Sequence, residues 1–422
     1  MIKKETFQNG LTILTESIQH VHSIALGVWL KKGSQDESSQ DAGIYHFIEH
    51  MLFKGTENRN AYEIAKTIDS IGGFTDAFTS KENTCFYAKL LDEHLPVVLG
   101  LFSDILIRPK FSKEDIERER KVILEEIKMV EDTPGDLVHE IFLESFWPDH
   151  QLGRPILGTV DTVNGIDQAL LRECFAQNYV PTNMLVTAAG NLTHEEMVEK
   201  IQHYFQLENS MPKKQIPAPP PAKGASFVSL RPKKDLEQAH ICLGMMGYSA
   251  LSPDRYAASV LNVILGGSMS SRLFQELREE RGLCYTVYSS LSPFKETGYL
   301  NIYAATGKET VREAIELILQ QCHRLITEPV STEELENAKN HLKGSVILSL
   351  EGSSSRMFNL ARNDLYYERQ ITTDEILSAI SSITIGDVQH IAMELFQHSD
   401  YGVVVVGDLD NLDLQVKDFQ TH

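Results

Sequence analysis

The chain has 422 residues, 42% of them hydrophobic and 23% charged, with a formal net charge of −20. That length exceeds what one compact core organises and predicts two or three domains, and the composition is that of an ordinary globular protein, which excludes long disordered stretches. The acidic balance disfavours nucleic acid and anionic membrane as partners and favours cationic ligands.

The N-terminal stretch MIKKETFQNGLTILTE has no apolar core and no small-residue cleavage site, and Asn9-Gly10 between two alternating runs predicts a hairpin turn. No run of eighteen apolar residues occurs, so no membrane-spanning segment is expected, and the expected setting is the cytoplasm. The five cysteines are scattered and never in Cys-x-x-Cys spacing, which argues against a disulfide framework and a thiolate metal site.

Gly43 to Thr56 reads GIYHFIEHMLFKGT. On a helix, His46, Glu49 and His50 project from one face, because they stand three and four positions apart. Ile44, Phe47, Ile48, Met51, Leu52 and Phe53 surround them, so the helix is predicted to be largely buried and its polar groups need partners. One metal ion would satisfy them together; the alternative is two histidines hydrogen-bonded separately in a core. His-x-x-Glu-His is the inverted form of the His-Glu-x-x-His zinc signature, in which two histidines ligate zinc and the glutamate is the general base.

Catalytic zinc needs a third protein ligand. The helix predicted from Lys113 to about Val130 has an apolar stripe of Ile116, Val122, Ile123, Ile127 and Val130, with Glu119 and Glu126 on or beside it. Two carboxylates at a core-facing seam fit a ligand, Glu126, and an outer hydrogen-bonding partner, Glu119; a helix wet on all sides would account for them equally.

At the midpoint, residues 216–224 read IPAPPPAKG, an extended linker. The halves on either side repeat one plan. His22–Gly27 aligns with His240–Gly244, the hairpin of Gly72–Leu91 with that of Gly282–Ala305, and the helix pair around Pro109 with that around Pro329. Asn183–Leu192 and Tyr401–Leu409 are closing strands. The expectation is α+β: domains 1–215 and 225–422, each a mostly antiparallel sheet with helices on one face. Leu265–Glu280 has no counterpart of the histidine motif, so metal chemistry is confined to the first domain.

With HFIEHMLFKGT and Val122-Ile123-Leu124-Glu125-Glu126, the chain resembles the pitrilysin, insulinase and mitochondrial-processing-peptidase family of zinc metallopeptidases, above all the processing-peptidase β branch and its two-domain bacterial relatives. The resemblance covers almost the whole chain. It implies one Zn²⁺ per chain on His46, His50 and Glu126, with catalytic Glu49 and Glu119. It also implies that DAFTS (Asp76, Ala77, Phe78, Thr79, Ser80) lies on an edge strand to which a peptide adds, although the family more often has Asn where this chain has Asp76. Arg278 and Tyr285 would grip the substrate. Because the family's longer members divide these parts between their first and fourth domains, a homodimer is implied in which Arg278 and Tyr285 act in trans. The implied function is a bacterial endopeptidase acting on peptides or unfolded segments inside a chamber; the alternative is a non-catalytic peptide-binding or assembly protein.

Overall fold

Alternating apolar residues in both halves build two sheets, and each sheet buries both faces. The computed structural model describes residues 1–206, 222–397, 400–409 and 412–418, so residues 216–221 of the expected linker lie outside the described residues. In the first half the elements run β1 (Ile2–Thr6), β2 (Thr12–Ser17), β3 (Ser23–Leu30), α1 (Ile44–Leu52), α2 (Ala61–Ser70), β4 (Phe74–Thr79) and β5 (Thr84–Leu91). They continue with α3 (Leu95–Ile107), α4 (Lys113–Asp132), α5 (Pro134–Phe146), α6 (Val160–Gly165), α7 (Gln168–Asn178), β6 (Met184–Gly190) and α8 (His194–Tyr204). The second half has β7 (Phe227–Pro232), β8 (Gln238–Met246), α9 (Arg255–Leu265), β9 (Cys284–Pro293), β10 (Gly298–Gly307), α10 (Val311–Thr327) and α11 (Thr332–Ser349). It ends with α12 (Ser353–Tyr367), α13 (Thr373–Ser382), α14 (Ile385–Phe396) and β11 (Gly402–Gly407).

The first sheet has strand order β1-β2-β6-β3-β5-β4 and the second β7-β11-β8-β10-β9, the same order without the first strand. In each, one parallel pair (β2 with β6, β7 with β11) joins otherwise antiparallel neighbours. The repeat read in the sequence is therefore one of topology, and the fold is α+β as expected. The second helix of each aligned pair starts on a serine: the Ser112 hydroxyl accepts the amide of Asp115 and that of Ser331 the amide of Glu334.

The chain divides into two compact units, but not at the linker. One unit comprises Met1–Lys128, Arg154–Ala218 and Ser349–Gln370; the other comprises Met129–Gly153, Pro219–Leu348 and Ile371–His422. The expected domains 1–215 and 225–422 are corrected accordingly: each half lends the other a helix. The cause lies in the strands. In β3, Ile24, Leu26, Val28 and Leu30 join the main helical core, while Ala25 and Trp29 face the other way. That second apolar face must also be covered, and Met357, Leu360 and Ala361 of α12 cover it. In the other unit Ile241 and Leu243 of β8 face the main core, and Cys242, with Val404 and Val406 of β11, meets Val138, Ile141, Phe142 and Phe146 of α5.

The aligned glycines Gly27 and Gly244 acquire a physical reason here. A Cβ on Gly27 would overlap the sulfur of Met357, and one on Gly244 would overlap the ring of Phe142, so each glycine admits the lent helix to its sheet. Phe142 is 1% exposed. Phe142→Ala is expected to destabilise the protein by about 3–5 kcal/mol in chemical denaturation, the usual cost of emptying a buried aromatic site; a change below 1 kcal/mol would mean that α5 is not held by this contact. All five cysteines are free, and no single helix among the described residues is long and apolar enough to cross a membrane.

Candidate metal centre

Helix α1 buries Ile44, Tyr45, Phe47, Ile48, Met51 and Leu52, leaving His46, Glu49 and His50 on its one partly open side. Its start is built tightly. Gly43 takes φ +92° as the residue before the helix, where a Cβ would stand 2.6 Å from the carbonyl oxygen of Leu157. The two carboxylate oxygens of Glu37 accept the amides of Gly43 (2.8 Å) and Tyr45 (3.0 Å). Burial raises this carboxyl to about 8 even against the downward pull of those amides, Lys81 and Arg154. An amide on each oxygen is the arrangement of a carboxylate, and we read Glu37 as ionised.

Helix α4 brings the third group. Glu126 Oε2 lies 3.7 Å from His46 Nε2 and 3.5 Å from His50 Nε2. Among the described residues, His46, His50 and Glu126 form the group able to hold a metal ion, with one donor atom from each within 4.8 Å of the others. Donors at tetrahedral zinc bond lengths of about 2.0–2.2 Å stand about 3.3–3.6 Å apart, close to the two separations from Glu126, so this carboxylate lies where an ion shared with the two imidazoles needs it. The donor chemistry fits as well: burial, then the neighbouring His50 ring, pushes His46 down to about 3, so its imidazole is neutral, the form that ligates.

Glu119 is 3% exposed. One of its oxygens lies 3.3 Å from His50 Nδ1 and the other 3.0 Å from Lys54 Nζ. An Nδ1–H donated to this carboxylate leaves the Nε2 lone pair of His50 facing Glu126, and Lys54 balances the charge. His46 Nδ1 is buried with no partner among the described residues. The helix stripe needs one correction: Ile116, Glu119, Ile123 and Ile127 are buried, but Val122 is 41% exposed, because it lies one turn before Glu126 on the open side of α4.

Glu49 stands outside the donor group. Its Oε2 accepts the Thr79 hydroxyl at 2.5 Å, and burial raises its pKa, with the Thr79 bond and His50 opposing. Thr79 ends β4, the outer strand of its sheet, whose second side pairs with no strand among the described residues. On the same strand Asp76 accepts the Tyr87 hydroxyl and the amide of Ala77. Ala77 packs against the main core, and Phe78 against Trp29, Tyr87 and Phe358.

In the other unit the structure brings Arg278 and Tyr285 together. The Arg278 guanidinium lies 4.6 Å from the Tyr285 ring centre and 4.7 Å from that of Phe274, on a π-helical segment, Phe274–Glu280. Cation–π contacts hold the cation while Tyr285 stays 73% exposed. Sequence reasoning missed three groups: Lys54, the Thr79 hydroxyl as a partner of Glu49, and Glu37. Only Lys54 carried a signal, a cation four residues after His50, although it lies two residues past the end of α1.

The family model described as insulinase, peptidase family M16, matches residues 12–160, and that described as the peptidase M16 inactive domain matches residues 165–342. The uncharacterized zinc protease YmxG of Bacillus subtilis is 38% identical over 98% of this chain and 100% of its own length. The chain belongs to peptidase family M16. An uncharacterized zinc protease of Streptomyces coelicolor is 38% identical over 93% of the chain and 87% of its own length; one of Mycobacterium tuberculosis is 37% identical over 96% and 93%. The M16 fold is equally evident in solved structures. A protease from Helicobacter pylori has a TM-score of 0.89 at 22% identity, covering 96% of this chain and 99% of that one. A peptidase M16 inactive domain from Pseudomonas fluorescens has the same TM-score at 20% identity, covering 96% and 98%.

Proposed function

We propose that this M16 chain is a zinc-dependent endopeptidase that hydrolyses peptides or unfolded segments inside a chamber formed by two copies, in a bacterial cytoplasm. The observation that carries the reading is the convergence of His46, His50 and Glu126 from two helices, with Glu49 beside them but outside the donor group. The relatives named as zinc proteases, all from bacteria, support it.

Bound zinc, one per chain, would supply Lewis acidity, polarising a peptide carbonyl and acidifying a water molecule. Glu49 takes the proton of the attacking water on its carboxylate and delivers it to the leaving amine nitrogen; burial tunes its pKa upward for both tasks. Glu119 orients His50, and Lys54 offsets its charge. The open side of β4, from Asp76 through Ala77 and Phe78 to Thr79, offers main-chain groups to an extended substrate largely irrespective of its sequence. Arg278 and Tyr285 present a cation and a phenol able to hydrogen-bond a peptide carbonyl, and in this reading they serve the metal centre of the second copy.

The test combines three measurements on one preparation: zinc by elemental analysis, cleavage of a fluorogenic unfolded peptide, and mass by light scattering. One zinc per chain, cleavage abolished by chelation, and a dimer are expected. A fully active monomer would refute the action of Arg278 and Tyr285 in trans. A chain with neither zinc nor cleavage would be a peptide-binding or assembly protein of the same fold.

A further inference from the structure

We infer that Glu37 is a positioning residue for the metal centre: by clamping the first turn of α1 it sets the place of His46 and so how tightly zinc is held. The inference rests on the zinc reading above.

Glu37 lies outside the helix, yet it is 3% exposed and spends both carboxylate oxygens on the helix start, at Gly43 and Tyr45. His46 follows Tyr45 directly. The loop between is shaped to return the carboxylate: the Ser38 hydroxyl donates to Asp41 (2.7 Å), and the carbonyl of Asp41 accepts the amide of Ile44 (3.0 Å). Arg154 Nη1 holds the carbonyl of Glu37 at 2.6 Å, Lys81 bonds the carbonyl of Arg154, and a Cβ on Gly158 would overlap the carbonyl of Ala42. The carboxylate is thus itself fixed, and its charge sits at the positive end of the helix dipole. Among the described residues His46 has no partner on Nδ1 to orient it, whereas His50 has Glu119. The orientation of His46 therefore depends on where the backbone of the first turn lies, which is what Glu37 controls.

Glu37→Gln keeps the shape but turns an NH₂ toward one of the two amides, donor against donor. Zinc affinity measured by competition with a chromophoric chelator, well below the melting temperature, is expected to fall about 10–100-fold, the range for loss of a group supporting a ligand. With peptide substrate at limiting zinc, kcat should fall with KM unchanged, and saturating zinc should restore it. A group that merely stabilised the fold would lower the melting temperature and leave both readouts alone. Glu37→Asp keeps the charge at shorter reach and is expected to lie between; it decides the matter should the Gln variant fail to fold. Wild-type zinc affinity in the folded variant overturns the inference while leaving the zinc reading intact. A wild-type chain that takes up no zinc overturns both.

Discussion

Glu49→Gln should reduce peptide hydrolysis by at least about 10²–10⁴-fold, the usual contribution of a positioned general acid-base group, while zinc stays at one per chain. Both halves of this expectation come from where Glu49 lies. It neighbours His50 in sequence but is not among the three donors, so its replacement leaves the donor group intact. The glutamine carbonyl can still accept the Thr79 hydroxyl, which now meets Glu49 at 2.5 Å, so β4 and α1 keep their link. What disappears is a group able to take a proton and release it, and neither Thr79 nor Lys54 can act in its place. Elemental analysis and single-turnover cleavage of an unfolded peptide test the two halves separately. A variant that cleaves at the wild-type rate would remove Glu49 from the mechanism; one that loses zinc along with activity would make it a ligand or a support of one.

Much of this centre was legible from spacing. His46 and His50 share a helical face by position; Glu126, with Glu119, could be placed on or beside the seam of a second helix, but spacing left a helix wet on all sides as an equal account, and the family resemblance decided between them. The hairpins and closing strands followed from alternation and turn residues, since period-two patterns survive whatever packs above them. The exchanged helices were not legible. An amphipathic stretch such as Ser353–Tyr367 announces that one face will be buried but not against which sheet, and Met357 meeting Gly27 is a contact across more than three hundred residues. Val122 was assigned to the core because it is apolar; its place beside the open carboxylate of Glu126 depends on how α4 is rotated, which an almost uniformly charged helix does not declare. Thr79 and Glu37 were illegible for a related reason: their partners are fixed by loop and strand geometry, with no periodicity to reveal them.

Glu126→Ala should abolish zinc uptake and hydrolysis together, with little change in the metal-free fold. The carboxylate is about a third exposed, and its near neighbours are the imidazoles of His46 and His50, so truncation opens no cavity and strands no buried charge. Such a change ordinarily moves stability by no more than about 0.5 kcal/mol. Zinc, by contrast, stabilises only a chain that binds it, by about 4 kcal/mol when present at a thousand times its dissociation constant. The wild-type melting temperature should therefore rise clearly when zinc is added to the metal-free protein, and that of the variant should stay flat. Two imidazoles from one helix remain in the variant, and their residual affinity is expected to be at least about 100-fold weaker, because the anionic donor and one of three protein ligands are gone. Undiminished zinc uptake by the variant would show that the ion is held elsewhere, and the assignment of α4 as the second arm of the centre would fall. Loss of the metal-free fold would instead mean that Glu126 supports the structure in its own right, a role its exposure argues against.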